Sequence, residues 1–333
     1  MKTINNTFRP NNKALFSCLM IGVAAPITAQ ADSIDEIIND FTAQASVYSD
    51  SGGIRIEDKS VQYQRHYKNN KGVNWKLETH GYNLRGETGS DTYQGADIVA
   101  AISKEFNHYI NTELSVGAVY LENQRSRDKT HFNKYKGKVT LKPNSKVSVS
   151  LEHGEDLLFK EAIIEDDNKK LVSGKTTRVV GSWRAAKRVI VEGSSQYRKL
   201  SDGNRSKQHR AALLYGISTD TPWVWVGVEA QSLAYDKTKT NYWSPEEYEA
   251  YALIANGNFK VNDKLSLNVN GSINRTKEKG FDWASGRSVT IGADYAVTEN
   301  VHIKPYASYL ESTRENVGWD GNRVGVQFVV SNF

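Results

Sequence analysis

Lys134, Lys136, Lys138 and Lys142 recur on even positions of one stretch, and Lys146 opens the next stretch with the same parity. Residues two apart share a face of an extended chain. A file of ammonium groups along an enclosed passage would favour anions or an acidic sugar chain. Lys76 and His80 lie on the polar side of an earlier segment, and Arg188, Arg198 and Lys304 add cations on others. Glu78, Glu113, Glu152 and Glu192 sit on neighbouring segments. Ion pairing across strands is therefore the competing use of the same charges.

Tyr242, Trp243 and Tyr248 form a second constellation. Their rings could stack on sugar faces. The Ser244-Pro245 pair between them also reads as a plain loop-to-strand entry, where no ladder donor is needed. Covalent chemistry has less support. Seven histidines, at 66, 80, 108, 131, 153, 209 and 302, are scattered over different segments. His153 with Glu152, Glu155 and Asp156 is the one local cluster, and no nucleophile accompanies it. No phosphate loop precedes a helix and no zinc spacing appears, and Glu165-Asp166-Asp167 does not match a calcium loop. The chain is expected to be no enzyme and to carry neither metal nor cofactor.

The elements that must position these residues are strands. Leu265, Leu267, Val269, Gly271 and Ile273 alternate with Ser266, Asn268, Asn270, Ser272 and Asn274. One apolar and one polar face suits a wall between lipid and water. Val147, Val149 and Leu151 repeat the pattern, as do Val224, Val226, Val228 and Ala230, and then Val289, Ile291, Ala293 and Tyr295. Connections alternate between short turns, as at Pro143-Asn144-Ser145, and longer charged loops near 85–91, 124–130, 159–171, 199–205, 236–246, 277–284 and 313–320. Bacterial outer-membrane barrels sort their connections this way. The expected fold is therefore all-β, a single antiparallel up-and-down transmembrane barrel. About fifteen strands are legible from Arg55 to Asn332, and Ala43–Tyr48 supplies a sixteenth; fourteen is the alternative, since such barrels take even numbers.

Three domains follow. Residues 1–31 read as a signal peptide, with Lys2, Arg9 and Lys13 before an apolar run and Ala29-Gln30-Ala31 as the cleavage site. Residues 32–48 are a periplasmic lead-in. In it Ser33 and Glu36 make a capping box and Ile34, Ile37, Ile38 and Phe41 share a helical face, which predicts a short helix over 33–42. Residues 49–333 are the barrel. The one cysteine, Cys18, falls in the leader, so no disulfide is expected beyond it.

Of the formal charge of +5, the leader contributes three cations and no acid, so the remainder is nearly neutral. Nucleic acid is a poor partner for such a field. Outer-membrane lipid and lipopolysaccharide are expected around the barrel, with aromatic residues such as Trp75, Tyr93, Trp223 and Trp319 near strand ends as interfacial girdles. The chain ends in Phe333, which resembles the terminal aromatic that engages the barrel assembly machinery. Val324, Val326, Phe328 and Val330 have the opposite parity, so a slip at Ser331-Asn332 is expected.

The stretch Tyr242-Trp243-Ser244-Pro245-Glu246-Glu247-Tyr248 leads into an alternating strand, then Leu265–Ile273 and a Thr276–Gly280 loop. It resembles the barrel entry of exopolysaccharide export porins, those for cellulose and poly-N-acetylglucosamine, and of their small stand-alone relatives. The resemblance implies a sixteen-strand pore that passes a growing polysaccharide. Those porins carry helical repeats of about 34 residues before the barrel. The 32–48 stretch is too short for one. The sequence thus leaves a saccharide conduit, a diffusion porin for small anions or oligosaccharides, and a surface barrel with a closed lumen as competing functions.

Overall fold

A computed structural model describes residues 37–332, apart from 68–71, 86–91, 108, 160–169, 221, 240–241 and 315–316. The predicted signal peptide, residues 32–36 and Phe333 lie outside the described residues. The strands are β1 (Ile37–Asp50), β2 (Arg55–Tyr67), β3 (Asn74–Arg85), β4 (Thr92–Asn107), β5 (Ile110–Asn123), β6 (Lys129–Asn144), β7 (Val147–Leu157) and β8 (Ser173–Ala186). They continue as β9 (Val189–Leu200), β10 (Arg205–Ser218), β11 (Trp223–Tyr235), β12 (Tyr248–Lys260), β13 (Leu265–Glu278), β14 (Ala284–Thr298), β15 (Val301–Arg314) and β16 (Val317–Ser331). Each pairs antiparallel with its chain neighbours, and β1 pairs with β16, so the sheet closes as a sixteen-strand barrel.

Side-chain alternation sorts the two faces as the sequence pattern requires. Val139, Leu141, Val149, Leu151, Val228, Ile273, Ile291 and Val324 are all well exposed. In water such a belt would be untenable. Against hydrocarbon it is the matching surface, and closure leaves no strand edge with unpaired backbone groups in lipid. Among the described residues no helix is long and apolar enough to cross a membrane, and a closed barrel is the other backbone arrangement that can.

One local expectation is overturned. The helix predicted over 33–42 is strand from Ile37 onward, and the barrel begins there, before residue 49. The residues have a second period: Phe41, Ala43, Ala45 and Val47 alternate with Thr42, Gln44, Ser46 and Tyr48. As β1 this segment bonds on both sides, from Asp40↔Ser331 to Asp50↔Gly321 and from Ile37↔Tyr67 to Ser49↔Arg55. Two ladders outweigh a single capping box, because a marginal helix of one or two turns gains little by itself.

Connections sort by end, with two of the longer loops shorter than expected. One end carries the tight links 145–146, 187–188 and 299–300, and the other carries 158–172 and 236–247. The loops expected at 199–205 and 313–320 contract to 201–204 and 315–316. In the first, the Asn204 amide donates to Asp202 Oδ1 (3.0 Å) and Gly203 takes φ +82°. In the second, pairing of β15 with β16 continues through Ser312↔Trp319 to Arg314↔Val317. Asn332 adopts φ +55°, which ends the extended backbone after Ser331; Phe333, whose parity the expected slip concerns, lies outside the described residues.

The interior is not uniform. At the long-loop end of β2–β5, the inward residues Ile56, Tyr82, Leu84, Tyr93, Val119 and Leu121 form an apolar cluster with Ile54 and Leu157. Phe159 and Leu171, from the two ends of the 158–172 loop, pack into it, and Phe159 meets the Tyr82 ring edge-on at 5.0 Å. This side of the lumen is filled.

Candidate transport lumen

The lysines come first. Lys134 Nζ bonds Asp97 Oδ2, and the Tyr82 hydroxyl donates to the same oxygen at 2.9 Å. Asp156 lies 4.0 Å from the ammonium. The pair spans from β6 to β4 across β5, and Gly117 permits this. A Cβ there would stand 3.1 Å from Lys134 Cε and 2.4 Å from the Ile98 carbonyl oxygen. The carboxylate side chain is 0% exposed and the lysine 8%. This is a buried brace.

Its neighbours are also paired. Lys136 and Lys138 share Glu152 at 3.6 and 3.3 Å. Lys138 stands opposite both Glu113 and Glu152 in the ladders, and its ammonium pairs with Glu152. Lys76 meets Glu78 at 3.2 Å, and His80 lies between Glu78 (3.0 Å) and Asp58 (2.9 Å). Lys304 and His302 share Asp294. Arg198 donates to Thr176 Oγ1 at 3.2 Å. Lys142 and Lys146 are exposed near the β6–β7 turn and Arg188 at the β8–β9 turn; none of the three has an ion pair among the described residues. The even-numbered file is real as a face, but most of its charge is shared with carboxylates.

Across the barrel, β10–β16 leave open space of about 490 Å³. Amides and hydroxyls make much of its wall, Gln231, Asn256, Asn270, Ser272, Ser288 and Thr290, beside apolar Ala250, Ala252, Ile254 and Leu310. Cross-strand bonds hold this lining upright, Ser272 to Ser288 at 2.8 Å and Asn258 to Asn268 at 2.6 Å. The charges present are balanced. Arg210 pairs with Glu229 at 2.7 Å and with Glu192 at 3.5 Å. Trp243, Tyr248 and Trp319 also line this space.

The aromatic motif divides its labour. Trp243 stands edge-on to Tyr248 at 5.2 Å, and its indole Nε1 donates to Glu278 at 3.1 Å. Tyr242 is structural. Its hydroxyl donates to Asp202 Oδ2 and accepts from Asn204 Nδ2, both at 2.9 Å. Loss of solvent around this loop ring pushes the Tyr242 hydroxyl pKa well above the usual tyrosine value, and the Asp202 bond adds to the rise. The fully buried Asn204 also donates to the Lys237 carbonyl (2.8 Å) and accepts from the Lys237 amide (3.1 Å). Ser244 Oγ accepts from the Lys239 amide at 2.7 Å. The 236–247 loop is thereby pinned to the 201–204 turn, and Trp243 is held over the lumen.

Sequence reasoning missed Trp319 as a lumen residue and Asn204 as a hub. The amide wall was visible as the polar face of β13. The His153 cluster does not assemble: His153 lies on the outward parity with Tyr135 and bonds Thr177, while Glu152 faces inward to the lysines. Among the described residues, no group of three histidine, cysteine or acidic side chains could hold a metal.

No family model matches this sequence, and no curated protein does. Solved structures do match in fold. A bacterial polysaccharide outer membrane secretin superposes with a TM-score of 0.66 at 10% identity, over 91% of this chain and 100% of that one. OccK11 (OpdR) of Pseudomonas aeruginosa gives 0.50 at 9% identity, over 90% and 97%.

Proposed function

We propose that this barrel is a passive outer-membrane conduit for saccharide. The observation that carries the reading is the charge-balanced β10–β16 wall, where amides and hydroxyls face a path topped by Trp243, Tyr248 and Trp319. Sugars offer hydroxyls to the first set and apolar ring faces to the second. No covalent step is needed. In this reading Lys134, Lys136, Lys138 and Lys76 brace the opposite wall through their carboxylate partners, and Lys142, Lys146 and Arg188 collar the short-turn mouth. The likeness to a polysaccharide secretin barrel supports saccharide as the cargo class.

Single-channel recording in planar bilayers tests this. A steady current with brief blockades by neutral oligosaccharide is expected. Trp243→Ala with Tyr248→Ala should shorten the blockades several-fold, the worth of about 1 kcal/mol of ring contact. A barrel without current, or one indifferent to sugar, overturns the reading. The exposed cations at the short-turn mouth favour a second reading, a diffusion porin for small anions. That reading predicts marked anion selectivity and no sugar blockade.

A further inference from the structure

The outer wall of the barrel carries a feature that passage through the lumen does not use. Between β9 and β15 the lipid-facing surface is indented by a groove of about 1030 Å³. Its floor is low because Ala211 pairs with Ala230, and two methyl side chains stand below the larger residues around them. One ladder row crosses it: Leu213↔Val228↔Leu253↔Ile273↔Arg287↔Glu311. The row is apolar for four strands and then charged. Strands of a barrel tilt by roughly 35–45°, so a row across them climbs through the membrane. This row rises from hydrocarbon to the interface at the long-loop side.

The upper end is cationic and aromatic. Arg275 is exposed, stands opposite Tyr251 and Ser285, and has no ion pair among the described residues. Arg287 pairs with Glu311 at 2.7 Å. Lys277 lies over the Trp283 ring at 5.9 Å, opposite Glu249 in the ladder, and Trp283 packs against Tyr251 at 5.7 Å. A guanidinium offers forked donors to phosphate. Two rings beside it offer faces to a sugar. Below them runs an apolar groove with room for an acyl chain.

We propose that this groove is a binding site for a phosphorylated glycolipid of the outer leaflet. An acyl chain lies between Leu213 and Ile273, the phosphate meets Arg275 and Arg287, and the sugar rests against Tyr251 and Trp283. The site is independent of what the lumen carries.

Native mass spectrometry of the detergent-purified full barrel tests it. The probes are a bis-phosphorylated, acylated glucosamine disaccharide lipid, its phosphate-free form, and phosphatidylglycerol. The phosphorylated glycolipid should be retained preferentially. Retention should fall about tenfold or more in Arg275→Gln/Arg287→Gln, the equivalent of one lost charge-assisted contact. Ala230→Phe, which fills the floor and leaves the cations, should weaken it too. Unchanged heat-modified migration and channel current in these variants certify the fold. Equal retention by the double variant, or equal retention of the phosphate-free lipid, overturns the site. Equal retention of phosphatidylglycerol overturns the glycolipid assignment.

Discussion

Lys134 and Lys136 are two residues apart and of one type, and burial gives them different consequences. Asp97 has no exposed side-chain surface, so Lys134→Met strands a carboxylate beside Tyr82. Removing one partner of a buried pair costs about 3–5 kcal/mol. Urea unfolding in lipid vesicles should register that loss, and Asp97→Asn added to Lys134→Met should recover part of it. Lys136→Gln, at a half-exposed ammonium, should cost under about 1 kcal/mol. The sequence could place these lysines on one face. It could not reveal that Gly117 opens a path from Lys134 to Asp97 two strands away, because that contact depends on closure and register.

Tyr242 extends the residue-scale argument to pH. Its proton is held more tightly in the folded loop than in an unfolded chain, whose tyrosines titrate near about 10. The folded state therefore binds more protons once the pH passes that value, and loop stability falls as pH rises further. Trp243 emission should shift red above about pH 10, and Tyr242→Phe should remove that alkaline step. Asn204→Ala should release the same loop at neutral pH, at about 1–3 kcal/mol for each buried group left without a partner.

At the scale of elements, alternation carried most of the fold. Faces of β13, β14 and β16 follow parity, and turn chemistry marked most links. The misreading at β1 has a physical cause. A capping box and period-four isoleucines are local facts, and the partners that make 37–50 a strand are the far edge of β16 and the near edge of β2. A proline in this strand tests the point. Ala45→Pro removes one ladder donor from a strand bonded on both sides and leaves its acceptor unpaired, at about 1–3 kcal/mol. Heat-modifiable migration should show a failure to close. The same change at exposed Asp263, in the β12–β13 turn, should leave closure intact.

The whole molecule is lopsided. Apolar side chains fill the long-loop end beside β2–β5, and the open path follows β10–β16. Substitutions on the two sides should then separate stability from conduction. Leu121→Ala, at a fully buried side chain, should cost about 2–5 kcal/mol and leave the current close to wild type. Ser288→Trp, on the amide wall, should cut the current sharply with a smaller change in unfolding. Single-channel amplitude beside a denaturant curve reads both. The imbalance was not legible in sequence, because both sides present the same alternating code and only the ring shows which inward residues meet across it.

The seam between β1 and β16 is a pairing like any other around the ring. Asn332 N–H reaches the Asn39 carbonyl at 2.8 Å, so the first and last described strands meet at the short-turn rim. A few linking residues could join them there, and the chain could be cut instead in the exposed 261–264 connection. The permuted gene would then encode a barrel with no memory of where translation began.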